Sequence, residues 1–127
     1  MEQINNYFKH HIWPSGLSSI NAGDKFQIDA NCGITAALLE LLLQSQTGEL
    51  QLLPALPSEF KEGSVKGIRG RGGFLIDMSW SNGELIRAVI YSQFGEPCHV
   101  RYGDKVASFD LKKGEQIILD KKLKIQL

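Results

Sequence analysis

Cysteine is scarce in this sequence, and the two that occur, Cys32 and Cys98, stand too far apart to form a CxxC pair. A disulfide framework or a structural zinc site needs clustered cysteines, so two ordinary buried thiols are expected. An excess of either charge is lacking as well. Fourteen basic residues balance 14 acidic ones, and the pI is about 6.8. Nucleic acid and anionic membrane surfaces select a basic excess, so neither is expected as a partner. Long apolar runs are missing too. The longest, Ile34 to Leu43, is interrupted by Thr35 and Glu40 and falls well short of the ~20 residues of a membrane span. The start, MEQINNYFKHH, has no apolar centre of the kind a secretion signal requires, and localisation stays open. Ser92 lies in no GxSxG elbow, so a serine hydrolase is not supported. Gly70-Arg71-Gly72-Gly73 lacks the Lys-Ser/Thr ending of a phosphate loop and reads as a turn or β-bulge. Adjacent His10 and His11 in a polar stretch read as solvated, as does His99 on an alternating strand, and no metal or cofactor is expected.

What is present is the composition of a folded domain, with 43% hydrophobic and 22% charged residues in a chain of 127. The sequence divides near Pro57, giving segments 1–57 and 58–127. Met1 to Lys25 is rich in Asn, Ser, Gly and His, with turn signals at Pro14-Ser15-Gly16 and Asn21-Ala22-Gly23. An extended or looped lead-in is expected there. Asn31 can cap a helix over about 33–46, with Gly48 as its stop. Leu38, Leu39, Leu41, Leu42 and Leu43 surround most of that helix, so it calls for neighbours on several sides. No other segment reads as a partner helix.

The second segment reads as strands. Phe74, Ile76, Met78 and Trp80 alternate with Leu75, Asp77 and Ser79, which buries Trp80 with its series. Trp13 carries no such pattern. Asn82-Gly83 is a hairpin signal, returning through Leu85 to Tyr91 with Ile86, Ala88 and Ile90 on one face. Further strands are expected at His99 to Tyr102, Val106 to Leu111 and Gln116 to Leu119. Lys122 to Leu127 alternates and reads as an edge strand guarded by lysines. The expected fold is mainly β, an antiparallel, jelly-roll-like sandwich preceded by the lead-in and one apolar helix.

Several phrases, taken in order and spacing, are similar to the C-terminal end of glycoside hydrolase family 95, the inverting α-L-fucosidases and α-L-galactosidases. They are Phe26-Gln27-Ile28-Asp29, Asn31 and Gly33, Glu40 with Leu42-Leu43-Gln44-Ser45, then Leu52-Leu53-Pro54-Ala55-Leu56-Pro57. Gly63-Ser64-Val65-Lys66-Gly67-Ile68-Arg69-Gly70-Arg71-Gly72-Gly73-Phe74 and Trp80 with Asn82-Gly83 complete the run. The resemblance covers about Phe26 to Ser92. It implies that the apolar helix is one stave of an (α/α)6 barrel and that the rest is a C-terminal β domain. It also implies that Asp29 is the general base on the attacking water, with a separate upstream glutamate as general acid. Inverting hydrolysis needs two carboxyls ~6.5–9.5 Å apart, with a water between one of them and the sugar. The family's histidine before FQID is replaced by the Gly23-Asp24-Lys25 stretch, and Ala30, Cys32 and Ile34 also depart from its pattern.

The resemblance thus implies a fucosylated oligosaccharide as the substrate of an intact relative. The 127-residue chain is expected to be a tail fragment that does not hydrolyse glycosides alone. Read without the resemblance, Asp29 is a helix-entry acid favoured by the helix dipole, and Arg69 and Arg71 are either solvated or held at a domain interface. A stand-alone carbohydrate-binding sandwich and a structural module that pairs with a second copy through the apolar helix are the alternatives. The exposed Leu38 to Leu43 face would drive a homo-oligomer or dock to an upstream barrel.

Overall fold

Among residues 2–19 and 25–126, which the computed structural model describes, the chain forms two helices and eight strands. The helices are α1 (Glu2–His11) and α2 (Ile28–Leu42). The strands are β1 (Leu43–Gln44), β2 (Leu50–Leu52), β3 (Gly63–Gly70), β4 (Phe74–Ser81), β5 (Glu84–Ser92), β6 (Pro97–Tyr102), β7 (Lys105–Asp110) and β8 (Gln116–Leu119). Two compact units part between Leu39 and Glu40, a division that does not coincide with Pro57. The Asn21-Ala22-Gly23 turn signal and Leu127 lie outside the described residues, as do Gly23 and Asp24 of the stretch compared with the family's histidine.

The first unit corrects the expectation of an extended lead-in, because Glu2–His11 is helical. Ile4, Tyr7, Phe8 and His11 recur at helical spacing, and Tyr7 stacks on His11 with ring centroids 5.5 Å apart. Glu2 in the first turn and Lys9, His10 and His11 in the last suit the helix dipole. The Pro14-Ser15-Gly16 signal is a turn as expected: Gly16 has φ +81° and donates its N–H to the Trp13 carbonyl at 2.8 Å. What joins the unit is polar. Ser18, fully buried, accepts from Tyr7 Oη at 2.7 Å and donates its own N–H to Asn31 Oδ1 at 3.2 Å.

Asn31 therefore does not cap a helix at Gly33. The helix begins five residues earlier than expected, with Asp29 in its first turn, and Asn31 Nδ2 donates to the Gln27 carbonyl at 2.9 Å. Nor does α2 run on to Gln46. Leu43 turns into β1 instead, where it is only 5% exposed, and the last helical carbonyls are satisfied locally. Leu53 N–H donates to Leu42 O at 2.8 Å and Ala55 N–H to Leu41 O at 3.3 Å. Leu53 reaches this position with φ +50°, which is uncommon for leucine but lets both Leu52 and Leu53 bury. Gly48 (φ +83°) serves the connection from β1 to β2 rather than a helix stop.

The second unit is a β-sandwich. One sheet has the order β1-β2-β6-β7 and the other β3-β4-β5-β8; all pairings are antiparallel except β2 with β6. Their inner faces share one core: Leu43, Leu50, Leu52, Cys98 and Val100 from the first meet Ile76, Met78, Trp80, Leu85 and Ile90 from the second. Strict alternation along β4 gives the expected buried series from Phe74 to Trp80. Asn82 and Gly83 take φ +52° and +76°, the left-handed pair a two-residue hairpin requires.

The return strand departs from the expected face. A bulge opposite Ser79 and Trp80 places two residues, Ile86 and Arg87, between inward-facing Leu85 and Ala88, so Ile86 is exposed. β3 carries no legible alternation because Lys66 and Gly67 form another irregularity; Gly67 has φ +71° and donates its N–H to Asp77 Oδ1 at 2.8 Å. Gly63 leaves room for the Trp80 ring, which a Cβ would strike, while Trp80 Nε1 donates to the Phe60 carbonyl at 2.8 Å. The tail is not an edge strand. Asp120 Oδ1 accepts the N–H groups of Lys122 and Lys124, Leu123 turns inward with φ +58°, and only Ile125 makes a bridge, to Leu119. The exposed thiol of Cys32 also departs from expectation, whereas Cys98 is buried.

Candidate functional site

Asp29 stands in the first turn of α2 on an exposed face. That first turn is the positive end of the helix dipole, which favours a carboxylate there. Gln27 Nε2 donates to Asp29 Oδ2 at 3.3 Å, a long bond that orients the group without enclosing it. Asn31, two residues on, is fully engaged in joining Ser18 to Gln27. Among the described residues no group of three His, Cys, Asp or Glu side chains could hold a metal ion, and no helix is long and apolar enough to cross a membrane.

A second place appears entirely within the β unit. The turn Arg71-Gly72-Gly73, the loop from Phe94 to Pro97 and the β1–β2 connection enclose a cleft of about 430 Å³. Its walls are tied by hydrogen bonds. Gln93 N–H donates to Gly73 O at 2.9 Å, Gly95 N–H to Ser92 Oγ at 3.0 Å, and Arg71 N–H to Ser45 Oγ at 3.0 Å. Ser92, unsupported as a nucleophile, is thus a fully buried loop anchor. At the rim Arg101 forks onto Glu49, with Nε to Oε2 at 2.7 Å and a second guanidinium nitrogen to Oε1 at 3.2 Å. That hydrogen bond holds the Glu49 carboxyl below its ordinary 4.5. His99 is on the surface as expected, and its Nδ1 meets Ser108 Oγ at 2.8 Å.

Comparison with known proteins assigns the architecture. Residues 44–126 match the model of the glycoside hydrolase family 95 C-terminal domain, which takes in the sandwich from Gln44 onward. The chain belongs to glycoside hydrolase family 95. It is 39% identical over 115 residues to a protein named α-L-fucosidase 2 from Arabidopsis thaliana, a match covering 88% of this chain and 14% of that protein. A probable α-fucosidase A from Aspergillus oryzae is 38% identical over 90 residues, covering 60% and 12% respectively. One from Aspergillus niger is 30% identical over 83 residues, covering 57% and 10%. The chain thus spans about a tenth to a seventh of the length of the curated relatives it matches.

The phrases that carried the resemblance have distinct structural duties. LLPALP buries two leucines and closes α2, and Gly70 to Phe74 forms the turn between β3 and β4. The cleft residues Phe94, Glu96 and Pro97 are not legible in the sequence because they lie in a loop without periodicity. One signal was available: a large aromatic set between Gly95 and a polar stretch has no core-facing partner in alternation.

Proposed function

We propose that these 127 residues are the C-terminal part of an inverting, α-L-fucosidase-like hydrolase, carrying the general-base Asp29 and a β-sandwich that braces the catalytic barrel. One observation supports this most strongly. A contiguous match over 88% of the chain leaves about 15 residues outside it, so the likeness to α-L-fucosidase 2 must extend past the sandwich to include Asp29. In this reading the carboxylate removes a proton from water as the water attacks the anomeric carbon of a terminal fucoside. The second carboxyl, which protonates the leaving oxygen, comes from elsewhere in the family-95 architecture. No cofactor enters the step. Exposed Phe26, Ile28 and Leu39 then belong against the rest of the barrel; in the isolated chain they pair with a second copy.

The test is a hybrid in which this chain replaces the matching segment of the Arabidopsis α-L-fucosidase 2, assayed with an aryl α-L-fucoside and a 2′-fucosylated oligosaccharide. The hybrid turns over, Asp29→Asn lowers its kcat by about 10²- to 10⁴-fold, and the 127-residue chain alone is inactive. A folded hybrid indifferent to Asp29→Asn overturns the assignment. Turnover by the isolated chain overturns its dependence on other parts.

A further inference from the structure

We propose that the cleft between the Arg71-Gly72-Gly73 turn and the Phe94 loop binds a neutral pyranose ring, a sugar site on the β unit separate from the Asp29 chemistry. The reason begins with Phe94. It is 67% exposed, yet its position is fixed from beneath. The ring lies directly on Gly73, where a Cβ would collide with it, and Gly73 takes φ +77°, which few side chains tolerate. The loop that carries the ring is held at Gln93 and Gly95 by the hydrogen bonds to Gly73 O and Ser92 Oγ. Gly95 is itself confined, since a Cβ there would press on Lys113 N at 3.0 Å. A large apolar ring thus rests against Gly73 and remains mostly in solvent, lining the cleft. Burial of Phe94 does not explain this arrangement.

The surroundings narrow the ligand. An aromatic face carries partial negative charge and attracts the C–H groups on the apolar face of a pyranose. Arg71, Glu96 and His99 share the cleft and supply donors and acceptors suited to equatorial hydroxyls. Glu49 is already neutralised by Arg101, so the remaining charges, Arg71 and Glu96, cancel. An anionic sugar gains nothing from such a balance, whereas a neutral one loses nothing. The volume of about 430 Å³ falls within the ~300–1,000 Å³ of small-molecule sites. It accommodates one or two sugar rings rather than a long chain.

The experiment is an amide NMR titration of the 127-residue chain with methyl α-L-fucoside, methyl β-D-galactoside and, as an anionic control, glucuronic acid, each to about 100 mM to cover a millimolar Kd. Saturable shifts at Gly72, Gly73, Phe94, Gly95 and His99 with at least one neutral sugar are expected, without such shifts from glucuronate. Phe94→Ala raises the Kd by about tenfold, Phe94→Trp preserves binding, and Asp29→Asn leaves it unchanged. Because Phe94 is exposed, retained dispersion in the Phe94→Ala spectrum checks that the sandwich is intact. Three outcomes overturn the proposal: no saturable shift with either neutral sugar, equal affinity in Phe94→Ala, or cleft shifts that follow protein concentration without sugar, which assign the cleft to a second copy. None bears on the Asp29 assignment, which the hybrid assay tests separately.

Discussion

The two units of this chain are built on opposite plans. From Leu43 to Leu123 the β unit contains every buried hydrophobic side chain among the described residues, and its two sheets close on one core. Among the described residues up to Leu39 the buried ones are two serines, Ser18 and Ser19, while Phe8, Leu17, Phe26, Ile28 and Leu39 are exposed. The β unit leaves Phe60, Ile86, Phe94, Val106 and Ile125 exposed as well, but it has a shared apolar core beneath them, and the helical unit has none among its described residues. The helical unit is joined by hydrogen bonds and carries its aromatic and aliphatic side chains uncovered, as the proposed docking to a barrel or a second copy would require. Family 95 membership gives this contrast its meaning, because the match to the C-terminal domain model, residues 44–126, begins almost where the self-contained part begins.

The widest expected difference between the units is in thiol reactivity. Exposed Cys32 is open to a disulfide reagent, whereas Cys98 is buried in the sandwich core, where desolvation pushes its pKa up to about 11. Cys98 should therefore react only when the unit opens, at least about a thousandfold more slowly if opening costs 4 kcal/mol or more. One fast and one slow thiol in a stopped-flow trace is the expected result; two fast thiols would break the comparison.

Next in size is core truncation. Leu85→Ala removes a fully buried side chain beside the β4–β5 bulge and lowers the stability of the β unit by about 3 kcal/mol. Denaturant unfolding followed by fluorescence in a Trp13→Phe background, which keeps Trp80 as the single tryptophan, reads this directly. By contrast, Ile28→Ser on the exposed face of α2 changes the same transition by less than about 0.5 kcal/mol. It should instead reduce self-association in sedimentation experiments.

Between these lies the pH dependence, carried by groups of the β unit. Asp120 is held below its ordinary 3.8 by the backbone N–H groups of Lys124 and Lys122. Glu49 and Glu84 are held below 4.5 by hydrogen bonds from Arg101 and Lys121. A carboxyl whose folded pKa is depressed contributes stability above its unfolded value, and that contribution is lost as pH falls through the folded one. Cys98 is the opposite case on the alkaline side. Its raised pKa favours the folded state below the ordinary 9.0, and this is lost as pH rises toward about 11. Stability should thus be level between about pH 5 and 8 and decline on both sides. Asp120→Asn should lessen the acid decline in thermal melts.

The legible parts of the fold were those where local pattern and tertiary demand agree. β4 alternates because one face is core, and Asn82-Gly83 must turn because both residues accept positive φ. β1 and β2 escaped notice because Leu43 and Leu50 to Leu52 follow a leucine-rich helical run, and only the sheet formed with distant β6 makes them strands. Ile86 lies off the face its alternation predicts because a bulge adds one residue that no alternation count can foresee. α1 was hidden in a polar composition, although Ile4, Tyr7, Phe8 and His11 stood at helical spacing. For the site, Asp29 was reached through a phrase, not through its surroundings, which are open to solvent and carry no signature of their own. The Phe94 cleft depends on Gly73 and Gly95 approaching other backbone and rings, contacts visible only in three dimensions.

Native-state amide hydrogen exchange on the intact 127-residue chain, resolved by residue, tests the division of labour most directly. The amides of β4, β5 and β8 should exchange only through global opening, while those of α1 and the first turns of α2 exchange orders of magnitude faster. Equal protection of α1 and β4 at a protein concentration where the chain is monomeric would contradict the account, because the helical unit would then have a core of its own.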